Sequence, residues 1–266
     1  MRPKKSLGQN FLKSAKALGD IVRAGEVSAD DVVLEIGPGK GVLTEKLLET
    51  GAKVFAVEKD RELVPLLAEK FSTYIASGKL QIIEADILEF DPSHYSLVPN
   101  HYKLIGNIPY YITGAIIRKF LESQYQPVLA VFLVQKEVAE RIVAREGKES
   151  ILSLSVKAYG EPKLVAKVSK RYFTPEPKVD SAIILINAIN KNNFKNVSER
   201  DFFNVVKTAF GQKRKTLVKN LENLSVNREL IVKNMVLGGI SDKARAEDLT
   251  IRDFLMLSGG LFPTNN

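Results

Sequence analysis

Val32-Val33-Leu34-Glu35-Ile36-Gly37-Pro38-Gly39-Lys40-Gly41-Val42 is a short, largely apolar run that passes straight into three glycines separated by single residues. Such a run suits a strand buried on both faces, and the glycines let backbone approach a ligand while aiming the next helix N-terminus at it. From here onward one pattern repeats. β-Branched runs at 32–36, 53–57, 80–84, 103–105 and 128–134 alternate with amphipathic stretches at 42–50, 60–74, 113–123 and 136–146. The alternation predicts a doubly wound α/β domain, a mostly parallel sheet with helices on both faces. Further on, runs at 163–168 and 182–186 are joined through Tyr172-Phe173-Thr174-Pro175-Glu176-Pro177. That link is too short for a crossover helix, so an antiparallel hairpin is expected at the sheet edge. The Asn- and Lys-rich stretch 187–196 reads as a linker, and residues 200–258 carry helical spacing with no clear strand. The expected division is an N-terminal arm and first helix over 1–30, an α/β domain over 31–188, a linker over 189–198 and a helical domain over 199–266.

Composition narrows the chemistry. The 266 residues hold 39 Lys plus Arg against 31 Asp plus Glu, two His, no Cys and no Trp, for a net charge of +8. Without cysteine there is no disulfide scaffold, iron–sulfur cluster or thiolate nucleophile, and His94 and His101 alone do not build a zinc site, so no metal is expected. The longest purely apolar run, 128–134, is far short of the ~18 residues of a membrane span, and no apolar signal block follows the basic N-terminus. A soluble cytoplasmic protein without a membrane partner is expected. The charge is uneven: six basic against three acidic residues over 1–30, seven against twelve over 31–100, and eighteen against ten over 151–250. Basic ends around an acidic middle suggest an anionic partner held by the ends; a solvated basic surface is an equal reading of charge alone.

The acidic middle contains ordered candidates. Glu58 ends the second strand 21 residues after Gly37, where it is placed to accept both hydroxyls of a ribose, and Asp86 closes the third strand, where it is placed to accept from an adenine amino group. A dinucleotide fingerprint requires Gly-x-Gly-x-x-Gly, but Val42 stands where the third glycine would fall. The spacing is more similar to the S-adenosylmethionine turn of class I methyltransferases. After the fourth strand comes Gly106-Asn107-Ile108-Pro109-Tyr110-Tyr111. The exocyclic amine of adenine is a poor nucleophile because its lone pair is delocalised into the ring. An amide oxygen from Asn107 and a backbone carbonyl from Ile108, accepting its two N–H groups, would favour rehybridisation and aim the lone pair at a methyl donor. Pro109 stiffens the turn, Tyr110 offers the base a face, and Phe173 is a candidate for the opposite face. On turn statistics alone the same residues read as an Asn-x-Pro β-turn with aromatics packed in a core.

Taken together, the segments 4–12 (Lys4-Lys5-Ser6-Leu7-Gly8-Gln9-Asn10-Phe11-Leu12), 35–41, 107–110, 173–181 and 245–249 (Arg245-Ala246-Glu247-Asp248-Leu249) resemble the ribosomal RNA adenine N6,N6-dimethyltransferase family over essentially the whole chain. The start and the Arg-Ala-Glu segment resemble its small-subunit (16S) branch more than the macrolide-resistance 23S branch. The resemblance implies a Rossmann-like class I methyltransferase domain with a mostly parallel seven-stranded sheet and an antiparallel edge hairpin, plus a small C-terminal helical domain that binds RNA. It implies S-adenosylmethionine as methyl donor and, as acceptors, two adjacent adenosines near the 3′ end of 16S rRNA in the 30S subunit. A role in ribosome biogenesis and a monomeric enzyme are expected. Carried over, Asn10 and Leu12 contact the cofactor from the arm, Gly37 and Gly39 lie under it, Glu58 and Asp86 hold ribose and adenine, and Asn107 bridges cofactor and target amine. The basic arm (Lys4, Lys5) and the cluster Lys213, Arg214, Lys215 and Lys219 are expected to meet rRNA phosphates.

Overall fold

The computed structural model describes residues 4, 7–95, 97–144 and 148–263. The chain forms two compact units, one of residues 1–140 and 161–189, the other of residues 141–160 and 190–266. In the first, β2 (Val32–Ile36), β3 (Lys53–Glu58), β4 (Leu80–Glu84), β5 (Tyr102–Asn107) and β6 (Leu129–Gln135) are parallel, and β7 (Glu161–Val168) and β9 (Ser181–Asn187) complete a seven-stranded sheet in the order β4-β3-β2-β5-β6-β9-β7. A separate two-residue strand, β1 (Phe11–Leu12), pairs antiparallel with β8 (Phe173–Thr174). The first unit also carries α1 (Ala15–Ala24), α2 (Val42–Glu49), α3 (Leu63–Lys70), α4 (Ser72–Ala76) and α5 (Thr113–Glu122), while α6 (Lys136–Val143) follows β6.

The parallel strands are apolar on both faces because helices cover both sides of such a sheet, and Val33, Leu34, Val54, Leu104, Ile105 and Val131 are wholly buried. Register then aligns the functional ends. Ile36 is level with Val57 on one side and Gly106 on the other, and Val57 is level with Ile83. The next residues along, Gly37, Glu58 and Asn107, therefore emerge in one row. Chain order turns outward in opposite directions from β2 and β5, which makes their carboxyl ends the crevice where open α/β sheets bind ligands.

The edge pair is antiparallel, with β9 rather than β7 on the inside, between β6 and β7. Composition explains the choice. Ala182, Ile183, Ile184 and Ile186 of β9 are fully buried, whereas β7 carries Lys163 and Lys167, exposes most of its length and has a bulge between Leu164 and Ala166, as suits an edge strand.

The second unit differs from the sequence expectation in its bounds. Besides α8 (Glu199–Ala209), α9 (Leu217–Leu221), α10 (Arg228–Leu237) and α11 (Ile251–Leu261), it includes α7 (Ile151–Lys157), which lies inside the expected α/β domain. Ser150 and Ser153 form a capping box at its start, and Leu154 and Val156 are buried. The stretch expected as a linker is also structured: Phe194 joins Tyr159, Phe202 and Phe203 in an aromatic cluster with centroids 5.1–6.3 Å apart. Among the described residues no helix is long and apolar enough to cross a membrane.

Candidate active site

The strand ends open on a cleft lined by residues 7–12 of the arm, the glycine turn, Val57 to Lys59, Ala85 to Ile87 and Asn107 to Ile112. Its floor is the glycine turn. Gly37, Gly39 and Gly41 have φ of +64°, +58° and +75°, a region L side chains rarely enter. The three are not equivalent. A Cβ at Gly41 would sit 2.5 Å from the Phe71 ring and one at Gly39 3.0 Å from the Phe11 ring, whereas at Gly37 the nearest atom is the Asn107 carbonyl at 4.0 Å. Gly37 leaves open room beside the cleft; Gly41 is closed by the core.

Glu58 and Asp86 both line the cleft in different states. Glu58 is 6% exposed, and its two oxygens accept one backbone N–H each, from Gly39 at 3.0 Å and Asp60 at 2.8 Å. Burial pushes its carboxyl above the usual range, against the pull of those two amides. Each oxygen keeps a lone pair, which suits a vicinal diol. Asp86 is fixed by the Leu88 N–H at 2.9 Å and carries an ion pair to Lys59 at 2.6 Å, which holds its carboxyl below the ordinary value. Behind the turn, Glu35 is fully buried, and among the described residues Thr44 is the polar group beside it, with no well-aligned hydrogen bond to either oxygen. Burial pushes it up to about 8, with Thr44 opposing and the Glu58 charge adding to the shift.

At the end of β5, Gly106 lets strands approach: a Cβ there would meet Ile36 at 3.0 Å. The Asn107 side-chain amide donates from Nδ2 to the Asn10 carbonyl of the arm at 3.0 Å, which leaves Oδ1 as an acceptor. Ile108 turns its side chain into the core, and the Pro109 carbonyl accepts from the Ile112 N–H at 3.2 Å. Among the described residues none donates to the Ile108 carbonyl. Tyr110 lines the cleft half-buried, its hydroxyl 2.7 Å from the buried Ser181 Oγ, and burial raises its phenol.

Phe173 departs from the expectation. It is 2% exposed and absent from the cleft lining, because its pairing with Leu12 turns the ring into the hydrophobic core. Asn10 and Leu12 do line the cleft. So do residues that local sequence patterns did not single out: Phe11, whose ring lies against Gly39 with the Lys40 ammonium 5.0 Å from its centroid, and Tyr111, packed beside Gly8. Asp60 and Ser181 were missed because their roles depend on partners 56 and 71 residues away, on Lys4 and Tyr110. The only signals for them were their places in the Glu58-Lys59-Asp60 and 173–181 segments.

The expected RNA contacts divide three ways. Lys4 pairs with Asp60 at 2.7 Å and Glu62 at 2.9 Å, so its ammonium is engaged within the protein. Lys5 lies outside the described residues. Lys213, Arg214 and Lys215 stand exposed in a turn between α8 and α9. The buried Asn220 amide fixes the turn by donating to the carbonyls of Ala209 at 2.7 Å and Gln212 at 3.1 Å. Lys219, one helix turn on, pairs with Glu222 at 2.8 Å.

A seven-stranded sheet of this order, with a glycine turn and strand-end carboxylates around one cleft, defines a class I methyltransferase. The chain belongs to the ribosomal RNA adenine dimethylase family, whose model matches residues 1–260. It is 42% identical over 258 residues, 97% of this chain and 88% of the relative, to the ribosomal RNA small subunit methyltransferase A of Dehalococcoides mccartyi. Its counterpart in Clostridium botulinum is 37% identical over 260 residues, 97% of this chain and 94% of that one. Among solved structures, a dimethyladenosine transferase from Plasmodium falciparum superposes with a TM-score of 0.79 at 27% identity, covering 93% and 95% of the two chains. The 23S rRNA methyltransferase ErmE superposes with a TM-score of 0.76 at 27% identity, covering 95% and 99%. The protein is thus an rRNA adenine dimethyltransferase with S-adenosylmethionine as methyl donor. The cleft fits that donor: two carboxylates suit its ribose hydroxyls and its adenine amino group, the space at Gly37 admits its amino-acid end, and Ile36, Val57, Ala85 and Ile87 offer apolar faces.

Proposed function

We propose that the chain dimethylates the N6 amines of two adjacent adenosines near the 3′ end of 16S rRNA within the 30S subunit, acting as a cytoplasmic monomer during ribosome biogenesis. One observation carries the reading: the row of strand ends brings Glu58 and Asp86 into the same cleft as Asn107 and Tyr110. Bound S-adenosylmethionine supplies an electrophilic methyl. Every other contribution comes from the chain. Glu58 takes the ribose hydroxyls on its free lone pairs, and Asp86 takes the adenine amino group once Lys59 shares or releases it. The arm, through Asn10, Phe11 and Leu12, excludes water from above. Asn107 Oδ1 and the Ile108 carbonyl accept the N–H groups of the target amine, and Tyr110, held by Ser181, gives the base a face. This is catalysis by positioning and fixed dipoles.

Phosphate contacts belong in this reading to the turn carrying Lys213, Arg214 and Lys215, with Lys219 beside it. Such contacts set orientation rather than sequence, so selectivity lies in the shape of the assembled subunit. The small-subunit assignment is supported by the names of the relatives at 42% and 37% identity. The test incubates undermethylated 30S subunits with enzyme and S-adenosylmethionine, then maps dimethyladenosine by nuclease digestion and mass spectrometry. Two adjacent dimethylated adenosines near the 16S 3′ end are expected. Product on naked 23S RNA alone would overturn the assignment.

A further inference from the structure

The N-terminal arm is held on the cleft by one buried carboxylate. Asp60, 2% exposed and two residues beyond Glu58, accepts from Lys4 Nζ at 2.7 Å and the Glu62 N–H at 3.2 Å on one oxygen, and from Gln9 Nε2 at 2.7 Å on the other. The ring closes on itself, because the Lys4 N–H donates to Gln9 Oε1 at 2.8 Å. Burial alone would raise this carboxyl, but the Lys4 and Gln9 hydrogen bonds hold it below the usual range. Just past the ring, Gly8 packs under Tyr111 and Pro109, and the Asn10 carbonyl receives the Asn107 amide.

The last contact matters most. A side-chain amide has an acceptor end and a donor end, related by a half-turn of the terminal torsion. The target amine needs the acceptor. With Nδ2 on the Asn10 carbonyl, Oδ1 is the free end; with the arm lifted, nothing in that contact selects between the two. A flipped amide would set N–H against N–H.

We propose that Asp60 is a positioning residue for methyl transfer: by anchoring Lys4 and Gln9 it keeps the Asn10 carbonyl on Asn107, so that arm closure sets the orientation of the catalytic amide. The inference rests on the function proposed above and goes past it, since it makes the arm part of the catalytic step as well as a cover for the cofactor. It also gives Lys4 a role inside the protein in place of a phosphate contact.

Asp60→Asn and Gln9→Ala are compared with wild type, and Asp60→Asn is combined with Asn107→Ala, all in the full chain with undermethylated 30S subunits at saturating S-adenosylmethionine. Asp60→Asn is expected to lower kcat about tenfold with an unchanged melting temperature, a loss typical of a misplaced catalytic group. In the Asn107→Ala background the same change should lower kcat no further, because the amide it orients is gone. A loss that multiplies in full with Asn107→Ala, or a kcat equal to wild type, overturns the proposal. A readout independent of activity accompanies these: amide hydrogen exchange over residues 7–12 should accelerate about tenfold or more in Asp60→Asn, as for a segment whose local opening has become easier. Unchanged exchange overturns the proposal even if the enzyme is active. Wild-type enzyme that methylates no RNA, with exchange accelerated as expected in the variant, would overturn the function and leave the latch standing.

Discussion

The cleft has a floor and a cover, and they are built by opposite means. The glycine turn is fixed by backbone and core: three left-handed residues, strand register on either side, and the Phe71 ring closing over Gly41. The arm over it is fixed by a two-residue strand pair, a buried carboxylate and one side-chain amide. A defect in the floor should therefore unfold the unit, whereas a defect in the cover should leave the fold intact and reach only the ligand and the chemistry.

The largest contrast should come from Gly41→Ala. Its Cβ would enter the Phe71 ring at a φ of +75°, so a loss of about 3 kcal/mol or more is expected, read as a lowered melting temperature with or without cofactor. Glu58→Gln probes the junction of floor and cover, because Glu58 accepts from Gly39 in one and Asp60 in the other. An amide keeps only one acceptor, so S-adenosylmethionine affinity by calorimetry should fall by about 2 kcal/mol with a smaller loss of stability; unchanged affinity would separate Glu58 from the cofactor.

Glu35→Gln tests the floor through pH. The Glu35 carboxyl is pushed up to about 8 by burial from an ordinary 4.5, so the folded chain binds a proton that the unfolded chain has lost. Its contribution is complete below about 4.5 and disappears as pH rises through 8, so wild-type stability should fall across that window. The Gln variant removes this slope and should gain about 3–4 kcal/mol on wild type at pH 8 relative to pH 5, by denaturant titration. Parallel stability–pH curves would contradict it. Phe11→Ala, in the cover, should be smallest: an S-adenosylmethionine affinity weaker by about 1 kcal/mol, and a melting temperature close to wild type.

The floor was the more legible half in the sequence, for the same reason. Strands such as Val32–Ile36 and Leu129–Gln135 announce themselves because burial on both faces demands continuous apolar runs, and Glu58 and Asn107 are readable because they follow such runs directly. The cover depends on pairings across the chain. Nothing local to Phe11–Leu12 identifies Phe173–Thr174 as its partner, and the pairing turns Phe173 inward, against its reading as a base-stacking face. α7 escaped for another reason. At seven residues it is too short for periodicity to declare, and its membership of the helical unit is decided by tertiary packing.

The β1–β8 pair joins positions roughly 160 residues apart, one near the start of the chain and one in the last quarter of the α/β unit. During synthesis, which proceeds from the N-terminus, the arm is made long before β8 and has no strand to pair with until nearly the whole sheet has been made. The glycine turn and the Glu58 carboxylate can assemble once residues up to 107 are made, since β2 to β5 are contiguous in the sheet. A nascent chain would thus pass through a stage with a formed floor and an arm that lacks its strand partner. The cover over the cleft is therefore complete only when the arm strand is captured by one of the last strands of the α/β unit.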